Sequence, residues 1–176
     1  MSDFKHFEQK YPSGHSPDEV WQAINVPLLG EVANIVYPGF AVKYEGLEGG
    51  QIQTGTHMTY VPAGILDRAP DMLRERLPKD ITLRVAKRAD ETRSRVDVLD
   101  STKARGGINR RVEVGEDGSG LLVVEANLAI DALTDNVKFV IKSMYGSTPE
   151  EMLIQYGIDA PSRSTIDNLP AILRTQ

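Results

Sequence analysis

In the stretch "GGINRRVEV" (106–114), apolar and polar residues alternate so that Arg110 falls on the same strand face as Ile108 and Val112. A guanidinium turned into an apolar interior without a counter-charge is costly, so this position calls for a carboxylate partner or an anionic ligand. Two arrangements would remove that demand: a strand end at the rim, or a bulge near "GGINRR" that turns Arg110 out and Arg111 in. A second polar group comes from "IQTGTHMTYV" (52–61), where Met58 and Tyr60 share the more apolar face with Ile52 while His57 lies on the other. A phenol on that face can hydrogen-bond a ligand oxygen or serve as a weak acid. The plainer role for such a tyrosine is packing, with a bond to neighbouring backbone.

Other chemistries find less support. His6, His15 and His57 lack an i,i+4 or two-residue partner of metal-ligand type, so no metal and no other cofactor is expected. There is no cysteine, which rules out disulfides, thiol catalysis and a Cys-type zinc site. Neither a G-x-S-x-G elbow nor a Walker loop is present; "GEDGSG" and "EGGQIQTG" read as turns. No residue is assigned a catalytic role. A net charge of −5 and an aromatic content of 6% argue against nucleic acid as a partner. The basic stretches "KRADETRSR" and "TKARGGINRR" are interrupted by acids and read as a solvated face. The N-terminal "MSDFKHFEQK" has no apolar signal core, and no apolar run approaches the roughly 18 residues of a membrane span. The expected location is cytoplasmic.

The elements that must hold Arg110 and Tyr60 are legible from period and punctuation. A length of 176 residues suits one domain with a substantial core. "DFKHFEQKY" (3–11) reads as a strand. In "SPDEVWQAI", Ser16 caps, Pro17 suits the first turn and Glu19 completes a capping box, which starts a helix over 17–24. A second helix is expected over Val26–Ile35, weakened by Gly30, and "YPGF" (37–40) is a turn. Strands follow over 40–46, 52–61, 80–88, 92–100, 106–115 and 121–131, interrupted by a short helix near 70–77 with Met72, Leu73 and Leu77 apolar. Ile81, Leu83 and Val85 share a face, as do Val96 and Val98, and as do Leu122, Val124, Ala126, Leu128 and Ile130. Short connections between consecutive strands predict an antiparallel meander with one buried face. "TDNVKFVIKSMYG" (134–146), capped by Thr134, offers Val137, Val140, Ile141 and Met144 at helical spacing to cover that face. Thr148, Pro149 and Glu151 then repeat the capping device, and "STIDNLPAILRT" predicts a short helix broken near Pro170.

Strand, two short helices, six-stranded meander and C-terminal helix is the layout of the helix-grip fold. With "SPDEVW" after the first strand and hairpin turns at "LEGGQ" and "GEDGSG", the chain resembles the SRPBCC superfamily, also called START-like or birch-pollen-allergen-like. Within it, the proline-ended strand of "TYVPAGILDRAP", the short helix after it and the strand of "LPKDITLRVAKR" are most similar to an actinobacterial group of unknown function. The likeness covers roughly residues 3–145 and implies an α+β fold: a curved seven-stranded antiparallel sheet, two short helices after the first strand, and a C-terminal helix on the concave face. It also implies a hydrophobic cavity between sheet and helix. The domain is expected to span 1–146, with 147–176 a helical extension packed on it; "YGSTPEE" departs from the pattern by stopping the helix and opening a new one.

The function so implied is non-catalytic binding or carriage of a small, largely apolar molecule, lipid or polyketide-like. The expected contact residues are Tyr60, Met58, Leu83, Val96, Arg110, Leu128, Val137, Ile141 and Met144. The alternative is a polyketide cyclase or aromatase-like enzyme using Tyr60 and Arg110. A third is an interaction module with a filled interior. The sequence leaves homo-oligomer formation open.

Overall fold

A computed structural model describes residues 4–62, 70–75, 79–101 and 103–175. Helix α1 (Pro17–Ile24) starts at the capping box: Ser16 Oγ accepts from the Glu19 amide at 3.2 Å, and Glu19 Oε2 accepts from the Ser16 amide at 2.9 Å. Its buried face carries Val20, Trp21 and Ala23. Trp21 packs inward, donates its indole N–H to Asp90 at 3.1 Å and lies 5.5 Å beneath the Arg88 guanidinium. Replacing Ser16 by alanine removes one arm of the box. It should lower stability by about 1 kcal/mol in urea unfolding, without altering the sheet. Helix α2 (Gly30–Val36) is shorter than the expected Val26–Ile35, because Pro27 holds the residue before it extended and the helix begins only at Gly30.

The strands are β1 (Lys5–Pro12), β2 (Phe40–Glu45), β3 (His57–Pro62), β4 (Ile81–Ala89), β5 (Ser94–Leu99), β6 (Ala104–Val114) and β7 (Gly120–Ile130). They form one seven-stranded sheet in the order β1-β7-β6-β5-β4-β3-β2, antiparallel throughout. The two small helices carry the chain from β1 to the far edge, so that the meander can return and close on β1 through β7. The strand expected over 52–61 is confined to β3. Gly49 and Gly50, both at positive φ, close a tight turn between Glu48 and Gln51, and a second turn joins Gln53 to Thr56 before pairing resumes. Helix α3 (Asp71–Arg74) occupies the expected short-helix position; Leu77 and the side chains of Met72 and Leu73 lie outside the described residues.

Strand β5 corrects the expected face. Arg95 and Asp97 point into the sheet's buried side, and Val96 and Val98 take the other. Neither a rim position nor a bulge at "GGINRR" turns Arg110 out: β6 pairs with β7 in unbroken register from Ala104–Ile130 to Val114–Gly120, so Arg110 faces inward with Ile108 and Val112.

The closing helix also differs from the expectation. Helix α4 (Asp135–Tyr145) stops at Gly146, which is left-handed. It covers only a satellite cluster of Ala104, Ile130, Leu133 and Ile141 at one end of the sheet, with Val137 packed against it. Lys138 pairs with Glu150 at 2.6 Å to tie it to the next helix. The segment that lies in the concavity is α5 (Pro149–Ile154), a π-helical turn (Gln155–Asp159) and α6 (Ala160–Asp167), followed by α7 (Leu169–Arg174). Pro161 cannot donate to the helix ladder, and the turn just before it widens so that the Ala160 amide reaches back to the Gln155 carbonyl. Ile154, Ile158, Ile166, Leu169 and Ile172 join the main core with Tyr11, Val20, Met58, Val85, Leu122, Val124 and Leu128. Burying each such side chain contributes about 1.5–3 kcal/mol against leaving it exposed.

Candidate functional site

The inner face of the sheet carries a buried cluster of charge. Arg95 and Arg110 stand directly opposite one another on β5 and β6. Like charges facing each other across a sheet repel, so the pair needs a mediator. Asp97, 0% exposed, is that mediator. Arg95 donates to both of its oxygens, Nε to Oδ1 at 3.0 Å and Nη2 to Oδ2 at 3.0 Å, while Arg110 Nη1 donates to Oδ2. Arg95 Nη1 also reaches Asn25 Oδ1 at 3.1 Å and the Ile24 carbonyl, which fastens the cluster to the end of α1. Asn25 in turn donates to the Trp21 carbonyl at 2.8 Å.

Above the cluster lies a cavity of about 50 Å³, lined among others by Tyr44, Met58, Tyr60, Arg95 and Arg110 from the sheet, by Tyr37 at the end of α2, and by Ser162 and Thr165 from α6. A single water needs roughly 10–15 Å³, so the space suits a few waters or the polar end of a small molecule. A second cavity of about 40 Å³ adjoins it, walled by Phe40, Ile81, Leu83, Leu99, Ile108, Leu128, Leu153 and Ile158. Tyr37 and Tyr60 line both and stand between them. Their rings meet at 4.9 Å between centroids, and their hydroxyls are 3.4 Å apart.

The ionisation of the site follows from burial. Burial pushes the Tyr60 phenol well above its ordinary range, with Tyr37 and Tyr44 adding to the effect. Burial likewise raises Tyr44, although its oxygen accepts the Leu28 amide at 2.9 Å. These phenols are therefore protonated donors at neutral pH. At Arg110 burial opposes the charge, but Asp97, then Tyr37 and Tyr60, outweigh it and hold the guanidinium charged. The hydroxyls of Ser162 and Thr165 are turned back onto the Ile158 and Pro161 carbonyls at 2.6 and 2.8 Å.

Of the residues expected to meet a ligand, Met58, Tyr60 and Arg110 line the first cavity, and Leu83, Leu128 and Tyr60 the second. Val96 lines neither, since β5 turns it to the opposite face. Ile141 is buried in the satellite cluster with Val137 against it, and Met144 is 54% exposed on the outer side of α4. Val137, Ile141 and Met144 are displaced because α4 is not the helix in the concavity. Sequence reasoning missed Arg95, Asp97, Tyr37 and Tyr44. One signal was available: Arg95 and Asp97 are two apart in "SRVDVL", on one face, next in the meander to an inward arginine that required a carboxylate.

No known family profile matches the chain, and no curated protein matches it. Solved structures do. Norcoclaurine synthase from Thalictrum flavum, in complex with dopamine and hydroxybenzaldehyde, is 12% identical, with a TM-score of 0.58 over 94% of this chain and 88% of that one. Major latex-like protein 151 from Panax ginseng is 10% identical, with a TM-score of 0.59 over 94% of this chain and 97% of that one. Ara h 8.0201 is 11% identical, with a TM-score of 0.54 over 96% of this chain and 99% of that one. The finer likeness to an actinobacterial group rests on the sequence motifs alone. The curved antiparallel sheet closed by a C-terminal helix is the fold of these structures: the chain has the START-like helix-grip fold.

Proposed function

We propose that the protein binds a small, largely apolar molecule in the interior between sheet and C-terminal helix, as a carrier or sequestering protein. The observation that supports this is the pair of adjoining cavities, one walled by hydrocarbon and one by Arg110 and tyrosine hydroxyls, with Tyr37 and Tyr60 at their junction. A few fixed polar groups against an apolar wall is the arrangement that orients a ligand in a pocket. Norcoclaurine synthase, of the same fold, was solved with dopamine and hydroxybenzaldehyde, small aromatics with a polar end, and a molecule of that order of size suits these cavities better than a sterol. The cyclase-like alternative is less well served. The tyrosines offer donors, but no histidine and no free carboxylate lines either cavity among the described residues, so a general base is missing.

The test is native mass spectrometry of the purified chain, with a thermal-shift screen of small aromatic and aliphatic compounds. A ligand present at a hundred times its Kd should raise Tm by roughly 5–10 °C. Ile158→Phe, which fills the second cavity, should abolish the shift in a folded protein. A chain that carries no bound molecule and responds to no compound would instead be an interaction module with a filled interior.

A further inference from the structure

We infer that the ligand carries one negative charge, a carboxylate on a small apolar body, and that Arg110 holds it; this rests on the reading of the interior as a binding site. The buried cluster is not neutral. Arg95 and Arg110 contribute two positive charges and Asp97 one negative, and all three side chains are at least nine-tenths buried, with Arg110 at 7% exposure. The imbalance is located at Arg110. The Arg95 fork is spent on both Asp97 oxygens, Asn25 and the Ile24 carbonyl, whereas Asp97 is the only hydrogen-bond partner of Arg110 among the described residues. The remaining donors of Arg110 therefore belong to the cavity that it lines.

The rest of that wall agrees in sign. The Tyr44 oxygen already accepts from Leu28 and has its own proton to give, and the Tyr37–Tyr60 pair has one proton left after their mutual bond. Ser162 and Thr165 have turned their protons to the helix backbone. Unspent capacity around the cavity is thus mainly donor capacity beside a cation. That combination suits a carboxylate, which accepts several charge-assisted hydrogen bonds and brings the cluster to zero net charge. A buried ammonium would meet an uncompensated positive charge there. The apolar second cavity, reached past Tyr37 and Tyr60, takes the body of the molecule.

The experiment is isothermal titration of the full chain at neutral pH with three probes matched in size: hexanoate, 1-hexanol and hexylamine. Hexanoate should bind roughly tenfold to a hundredfold more tightly than the alcohol, and the amine should give no measurable heat. Arg110→Met leaves the Arg95–Asp97 pair neutral, so that variant should fold. It should bring hexanoate down to the affinity of hexanol without moving hexanol itself. Arg110→Lys, which keeps the charge, should retain most of the preference. Equal binding of acid and alcohol, or binding of the amine, overturns the charge assignment and leaves the binding site standing. Failure of all three probes also overturns it; only if native mass spectrometry finds no bound molecule as well does the reading of the interior as a binding site fall with it.

Discussion

Asp97→Asn should lower the stability of the protein by about 3–5 kcal/mol, one of the largest single-residue losses expected anywhere in the chain. Asparagine keeps the shape of the side chain but removes the charge that holds Arg95 and Arg110 opposite one another. Both guanidiniums would then be buried without a counter-ion. In urea unfolding the midpoint should fall by about 1 M or more, for a slope of 1–3 kcal/mol per M. The control is the triple replacement Arg95→Met, Asp97→Leu, Arg110→Met, which removes all the charge together. Buried ionic triads replaced by apolar residues of similar size are often neutral or more stable, so this variant should recover the wild-type midpoint. If it does, the cluster is kept for recognition rather than for stability. A single Asp97→Asn variant with an unchanged midpoint would mean that the arginines are solvated, and the account of the site would fail with it.

That cluster marks where the sequence was legible and where it was not. Arg110 could be placed inward because Ile108 and Val112 flank it on a long strand with a clean period of two. The need for a carboxylate followed from physics alone. Its identity did not, because "SRVDVL" has its valines on one face and its charges on the other, and the usual assumption sends the valines inside. In β5 the reverse holds: Arg95 and Asp97 pair on the inner face, and Val96 and Val98 are left partly exposed on the outer face. Helix α1 was readable because a capping box is a local device with local geometry. The closing helix was not. Both 134–146 and 149–167 open with a cap and carry apolar residues, and the more regular amphipathic pattern belongs to the first. In the second, Pro161 and the π-helical turn break the period, and the buried face includes Ser162 and Thr165, whose hydroxyls bond back to their own helix. Tyr37 escaped notice because it sits in a turn by sequence, yet its ring reaches the junction of both cavities.

Gly106→Ala should cost about 3 kcal/mol or more, and the reason bears on the site rather than on glycine in general. Gly106 lies inside β6 at φ +122°, and a methyl group built there would stand 1.8 Å from the Asn127 carbonyl oxygen and 3.1 Å from the Leu128 Cα. Those are backbone atoms of the neighbouring strand and cannot turn aside. To admit alanine, β6 must lift from β7 or gain a bulge, and a one-residue shift exchanges the two faces of a strand. Ile108, Arg110 and Val112 would then exchange places with their neighbours, moving Arg111 inward as the sequence alone could have allowed. Gly118→Ala is the matched control: it also has positive φ, +82°, but its methyl would meet nothing within 4 Å, so it carries only the backbone strain. The difference between the two urea midpoints isolates the contact between strands. Should Gly106→Ala unfold no earlier than Gly118→Ala and still bind ligand, the register of β6 would not depend on that glycine. If instead the variant remains folded but loses binding, the loss comes from turning Arg110 out of the cavity, and Arg110→Met in the same background should change nothing further.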